Sequence, residues 1–304
     1  MGTGVKVAAQ SFSIASWSAA HLEKVERALS RWVVAHAPAG LGDSMRYAVL
    51  DGGKRLRPLL VLGASESVGG NAQAALRAAC SVELIHAYSL VHDDMPCMDN
   101  DVLRRGKATV HVKFGQAQAL LAGDALQALA FELLTPEGDH VPAAIQARLC
   151  RLLARAAGHE GMAGGQAIDL ASIGRQLGEE ELRQMHRLKT GALLQGSVMM
   201  GAACGYTDAQ ASEAMSMYGA AVGLAFQVVD DILDVTADSE TLGKTPGKDA
   251  AHDKPTFVSL LGLERSRAYA QDLLVQARSA LDASGLDDTQ ALLALAEMVV
   301  NRDN

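Results

Sequence analysis

A chain of 304 residues that is 49% apolar, 20% charged and only 4% aromatic can bury a large core, and its Ala-, Leu- and Gly-rich palette suits close-packed helices better than sandwiched sheets. The formal charge of −8 argues against a general nucleic-acid binder, whose affinity would rest on a cationic surface. Four widely separated cysteines, Cys80, Cys97, Cys150 and Cys204, have neither zinc-ligand spacing nor the look of a disulfide framework, which fits a reducing cytoplasm.

Residues 1–16 hold one Lys and no sustained apolar run, so they read as a loose tail rather than a signal peptide, with one domain over 17–304. Leu22, Val25, Leu29, Trp32 and Val33 recur at helical spacing behind Ser16 or Ser18, either of which can cap the helix. Similar periodicity predicts helices over about 43–50, 57–68, 72–95, 115–134, 141–157, 179–203, 208–235, 255–283 and 288–301, divided by Gly, Pro or Asp/Asn punctuation. Strand-type alternation is absent, no linker divides the chain, and no stretch reaches the roughly 18–20 uninterrupted apolar residues of a membrane span. The expected fold is all-α and single-domain, without stable membrane association.

Between the second and third helices, Gly52-Gly53-Lys54-Arg55-Leu56-Arg57-Pro58 lets backbone approach an anion closely while Lys54 and Arg57 grip its oxygens. The fourth helix ends in His92-Asp93-Asp94-Met95-Pro96-Cys97-Met98-Asp99-Asn100-Asp101. A regular helix would leave Asp93 and Asp99 about 120° apart, but Pro96 stops the helix near Met95, and the turn can fold Asp99 back. Carboxylates there face the negative end of the helix dipole, so a hard cation such as Mg²⁺ is the natural partner. Arg104 and Arg105 follow at once, placing guanidinium groups beside the acids.

Further on, Lys189-Thr190-Gly191 interrupts a helical run in a way that can loosen it and expose a carbonyl. A second acidic motif, Gln227-Val228-Val229-Asp230-Asp231-Ile232-Leu233-Asp234, puts Asp230 and Asp234 one turn apart on one face, a stripe suited to a divalent ion. A Gly- and Lys-rich segment from Gly243 through Lys244 to Lys254 then reads as a lid.

Taken in order, GGKRLRP, IHAYSLVHDDMPCMDND, LRRG, GDALQ, GGQAIDL, HRLKTGAL, GLAFQVVDDILD and GKTPGKD resemble the bacterial-type farnesyl and geranylgeranyl diphosphate synthases, the trans-prenyl transferases of the isoprenoid synthase fold. The resemblance spans nearly the whole chain. It implies that Asp93, Asp94 and Asp99, with Asp230, Asp231 and Asp234, hold three Mg²⁺ ions, replaceable by Mn²⁺, on an allylic diphosphate. It also implies that Gly53, Lys54, Arg57, His86 and Arg105 form an isopentenyl diphosphate site, that Arg104, Lys189, Lys244 and Lys254 meet the allylic diphosphate, and that Thr190 and Gln227 line the reacting centre. Val102 stands where a further Asp is frequent. A homodimer is implied as well.

The implied reaction joins isopentenyl diphosphate to dimethylallyl and then geranyl diphosphate, by ionising the allylic carbon–oxygen bond in a dry pocket. Tyr88, with Ser89, lies about 7–8 Å below Asp93 along the helix and is expected to floor the tail pocket at fifteen carbons, giving farnesyl diphosphate. The alternatives are a geranylgeranyl diphosphate synthase, a terpene cyclase and a non-catalytic subunit. DDILD and GGKRLRP speak against the cyclase, and the intact acidic motifs against the silent subunit.

Overall fold

The computed structural model describes residues 12–50, 52–138, 140–175, 177–236 and 256–302. In chain order it runs α1 (Ile14–Trp32), α2 (Leu41–Val49), α3 (Leu56–Ser67), α4 (Ala72–Asp93), a hairpin of β1 (Leu103–Arg104) and β2 (Lys107–Ala108), α5 (Val110–Phe114), α6 (Gln116–Leu134), α7 (Ala143–Ala157), α8 (Met162–Ala171), α9 (Glu179–His186), a π-turn (Arg187–Gly191), α10 (Ala192–Ala202), α11 (Ala209–Thr236), α12 (Phe257–Leu261), α13 (Leu263–Asp282) and α14 (Gln290–Val300).

Short polar side chains start the long helices by accepting orphan backbone N–H groups. Ser13 Oγ accepts from Ser16 N at 3.4 Å, Asn71 Oδ1 from Ala74 N at 2.9 Å and Asp208 Oδ1 from Ala211 N at 2.8 Å. The first cap is therefore Ser13, not Ser16 or Ser18, and residues 14–16 are already helix, while 1–11 lie outside the described residues.

Other departures have similarly local causes. The helix expected over 255–283 is cut at Gly262, whose φ of 81° no helix contains. α8 has no counterpart among the predicted helices, because Gly164-Gly165 reads as a breaker. The β1–β2 hairpin turns on Arg105 and Gly106, with φ of 51° and 74°, and two-residue strands are too short for alternation to register.

The core has two lobes. One joins α1, α2, α4, α6 and α7, the other α9, α11, α13 and α14, with α3 and α10 between them. Val61 and Leu62 of α3 face the first lobe while Leu59 and Leu60 face the second, and α10 divides in the same way between Leu193 and Leu194. α4 is buried along much of its length through Ala74, Ala75, Ala78 and Ala79, small residues that let neighbouring backbones approach. By length and composition alone α4 and α6 could each cross a membrane, but 67% of the apolar window of α4 is inside the protein, against 39% for α6. All four cysteines are free thiols.

Candidate active site

α4 ends at Asp93, and the chain turns at Pro96 so that Asp99 N donates to Asp93 O at 2.9 Å. Asn100, at φ 52°, completes the turn by donating its N–H to Met95 O. Asp99 is thereby returned to the side of Asp93, as the proline predicts. Burial pushes the Asp93 carboxyl up to about 6 against the opposing charge of Lys189, with the Asp99 carboxylate adding to the rise.

Asp94 differs from its neighbour. It is only 2% exposed, and both its oxygens accept from Arg104 Nε at 2.9–3.0 Å while Oδ1 also accepts from Nη2 at 2.6 Å. In this arrangement the Asp94 carboxylate, expected among the metal-holding acids, anchors the β1–β2 hairpin through a guanidinium fork. Arg104, expected on the allylic diphosphate, is likewise engaged in that anchor.

The second motif repeats the division. Asp231 is 3% exposed, with Oδ1 accepting from Gln227 Nε2 and Oδ2 from Phe257 N, each at 2.8 Å. It ties α11 to α12 while belonging, like Asp94, to the expected metal-holding acids. Gln227 is fixed at both ends, since its Oε1 accepts from Thr190 Oγ1 at 3.0 Å. Asp230 is more open and accepts from Arg302 Nη2 at 2.8 Å, while the same guanidinium donates to Phe226 O and lies 4.1 Å over the Phe226 ring. Asp234, one turn beyond Asp230, is half-buried. Arg302 escapes sequence reading because nothing local marks a lone arginine beyond the last helix as belonging to an acidic motif 72 residues earlier.

The basic residues collect between the two motifs. Arg105 Nη1 donates to Gly52 O at 2.8 Å, and a Cβ on Gly53, at φ 135°, would lie 2.7 Å from that same nitrogen. Lys54 is lowered by burial and by Arg302, with Asp230 opposing, which places it beside the second motif. Arg57 is also lowered by burial, lies within the field of Glu83 and Asp230, and has a buried Nε with no partner among the described residues. Burial, reinforced by Arg57, Arg105, Arg104 and Arg55, holds His86 well below the ordinary imidazole range, as a neutral ring among cations. Lys54, Arg57, His86 and Arg105 are thus brought together.

Lys189 and Thr190 ride on the π-turn, where the sequence anticipates a loosened helix. Lys189 Nζ pairs with Asp169 of α8, a 6%-exposed carboxylate that sequence reasoning does not single out, although GGQAIDL contains it. Tyr88 is 9% exposed, beside Gln127 of α6 and edge-on to His92 at 5.7 Å, and Ser89 Oγ donates to His86 O. Lys244 and Lys254 lie outside the described residues.

The donor set is one of hard carboxylate oxygens, Asp93 with Asp99 at one lip and Asp230 with Asp234 at the other. Among the described residues no three acidic, His or Cys side chains converge into a closed cage. Open-sided carboxylates that leave most positions to water and phosphate suit Mg²⁺, which dehydrates reluctantly and is held by one or two carboxylates plus substrate oxygens.

Residues 38–294 match the family model described as polyprenyl synthetase. The chain is 48% identical over 275 residues to a probable farnesyl diphosphate synthase of Sinorhizobium fredii, covering 88% of this chain and 82% of that one. It is 43% identical over 295 residues to the chloroplastic geranylgeranyl pyrophosphate synthase of Catharanthus roseus, covering 97% and 83%. A structure of geranyltransferase from Helicobacter pylori complexed with magnesium and isoprenyl diphosphate superposes with a TM-score of 0.82 at 35% identity, covering 96% of this chain and 98% of that one.

Proposed function

The chain belongs to the polyprenyl synthetase family, and on that premise we propose that it condenses isopentenyl diphosphate head-to-tail with dimethylallyl and then geranyl diphosphate to release (2E,6E)-farnesyl diphosphate. The observation that carries this reading is the gathering of Lys54, Arg57, His86 and Arg105 between two acidic lips, which gives one diphosphate a cationic seat and the other a carboxylate-lined one. The magnesium complex of the Helicobacter pylori relative supports Mg²⁺ as the cofactor, proposed as three ions, with Asp93, Asp99, Asp230 and Asp234 as its holders. When bound, Mg²⁺ would neutralise charge accumulating on the departing diphosphate.

The chain's own residues do the rest. Lys189, oriented by Asp169, presents its ammonium toward the first acidic lip, where it offsets leaving-group charge. Thr190 and Gln227, locked to each other and to Asp231, hold oxygen dipoles in fixed directions beside the reacting carbons. A neutral His86 donates a hydrogen bond to the isopentenyl diphosphate without adding a fourth cation to the cluster. The final proton leaves to the released diphosphate, since the described motif residues set no side-chain base at this place.

Farnesyl rather than geranylgeranyl product is proposed from Tyr88, whose bulk sits more than one turn below Asp93 on α4. The geranylgeranyl reading is kept because synthases of that product are similar over the same span. A homodimer and a cytoplasmic location complete the proposal. The test is product analysis with labelled isopentenyl diphosphate and each allylic primer, with Mg²⁺ present or chelated. A Mg²⁺-dependent fifteen-carbon diphosphate is expected; a twenty-carbon product would move the reading to geranylgeranyl diphosphate synthase, and no condensation would overturn it.

A further inference from the structure

Arg55 is the member of the GGKRLRP loop that does not face the site. Its side chain is 3% exposed and holds three partners: Nε donates to Glu26 Oε1 at 2.7 Å, Nη1 to Glu83 Oε1 at 2.6 Å and Nη2 to Val49 O at 2.7 Å. Its backbone sits at φ 47°, a left-handed conformation that costs a non-glycine residue energy and persists only where surrounding contacts impose it. Three bonds to the interior are such contacts. They turn the Arg55 side chain inward at the start of α3, with exposed Lys54 on one side of it and Arg57 on the other.

Glu83 is 4% exposed and lies on α4 one turn before His86, so the two share a helix face. Its charge reaches Arg57 and Arg105 as well as Arg55. One buried ion pair therefore fastens the Gly-rich loop to the helix that carries His86, at the level of His86. Glu26 and Glu83 neutralise Arg55 itself, so it organises the cluster without competing for an incoming anion.

We propose that Arg55 and Glu83 are positioning residues for the isopentenyl diphosphate seat, setting the spacing of Lys54, Arg57 and His86 through the buried Arg55–Glu83 bond while leaving the allylic seat untouched. The inference rests on the prenyl-transfer reading for the identity of its ligand, though not for its geometry. It separates two substrates that a general loss of stability would affect alike.

The experiment compares the wild type with Glu83→Gln, Arg55→Lys and the paired Arg55→Met/Glu83→Met. Gln cannot carry the charge, Lys cannot span three partners, and the paired change replaces the buried ions with apolar groups, a swap that preserves folding in other proteins. Each single variant is expected to raise KM for isopentenyl diphosphate about tenfold, with KM for geranyl diphosphate changed less than about threefold. The paired variant, in which Glu26 and the Val49 carbonyl lose Arg55, should still fold by circular dichroism and keep the raised isopentenyl KM. Parallel rises in both KM values, or an unchanged isopentenyl KM, would overturn the proposal. Calorimetric binding of inorganic diphosphate to the full chain without Mg²⁺, which leaves the cationic seat as its site, tests the same role without turnover: about tenfold weakening in Glu83→Gln supports it, and equal binding sinks it. Absence of condensation by the wild type would sink the reaction assignment, and the diphosphate titration would still decide the role of the pair.

Discussion

His186 closes α9 with 7% exposure, stacked on Phe257 at 5.4 Å, and neither ring nitrogen has a hydrogen-bond partner among the described residues. Burial drives its pKa from 6.5 down to about 4, with Asp169 resisting and Lys189 assisting. The unfolded chain therefore binds a proton between pH 6.5 and pH 4 that the folded chain refuses, so stability falls as pH drops through that window. The loss amounts to about 2 kcal/mol by about pH 5. Urea denaturation at about pH 7 and about pH 5 should show a smaller acid penalty in His186→Met than in the wild type, and an equal penalty would remove His186 from the account. Tyr88 makes the second argument at this scale. If it floors the tail pocket, Tyr88→Ala should shift product toward twenty carbons, and an unchanged chain-length distribution would discard the floor. Single residues were unevenly legible in the sequence. The Asp93–Asp99 approach follows from Pro96, a local steric cause. The different partners inside each Asp pair do not, because Asp94 meets Arg104 on the hairpin and Asp231 meets the backbone of Phe257 as well as Gln227 one turn away, and the first two contacts are fixed by the tertiary fold.

At the scale of elements, the π-turn Arg187–Gly191 is held from two sides by glycines. A Cβ at Gly165 of α8 would lie 2.0 Å from Lys189 N, and one at Gly223 of α11 would lie 2.9 Å from Gly191 Cα. Backbone has no rotamer with which to yield, so Gly165→Ala must displace the turn that presents Lys189 and Thr190. The expected outcome is a melting temperature lowered by several degrees and kcat reduced at least about tenfold, the latter persisting at saturating substrate because the proposed function has both side chains act on the departing diphosphate and reacting carbons. Wild-type kcat in Gly165→Ala would show that the turn tolerates the shift and that its position is not what the two glycines protect. Elements were more legible than residues where periodicity ran long, as in α4, α6 and α11. They were less so where a glycine serves packing: of the pair that makes α8 look broken, Gly165 lets α8 approach Lys189 and Gly164 clears the backbone of His159. Gly262 works the other way, ending α12 inside a pattern whose apolar spacing continues across it.

For the whole molecule, the two apolar helices are treated differently. α4 is wrapped by neighbours, whereas α6 leaves Ala117, Leu120, Leu121 and Ala128 exposed along one side, with Asp124 the lone acid among them. Leu120 and Leu121 are 47% and 53% exposed, and Val112 of the adjoining α5 is 50% exposed. An apolar stripe interrupted by one acid, on a helix whose other face is in the core, is a surface suited to association. The proposed homodimer would supply the occupant, since a second copy about a two-fold axis can set the same stripe against itself. In such a seam Leu121 would be desolvated in both subunits, so Leu121→Asp places two carboxylates opposite each other in an apolar contact. Light scattering during size exclusion should then report about twice the 31.9 kDa chain mass for the wild type and one chain mass for Leu121→Asp. Because Gln127, the neighbour of Tyr88, lies on the same helix, a monomeric Leu121→Asp should also broaden its product lengths. A monomeric wild type would leave the α6 stripe without this partner. A Leu121→Asp variant that stays dimeric would move the seam to another face of the fold.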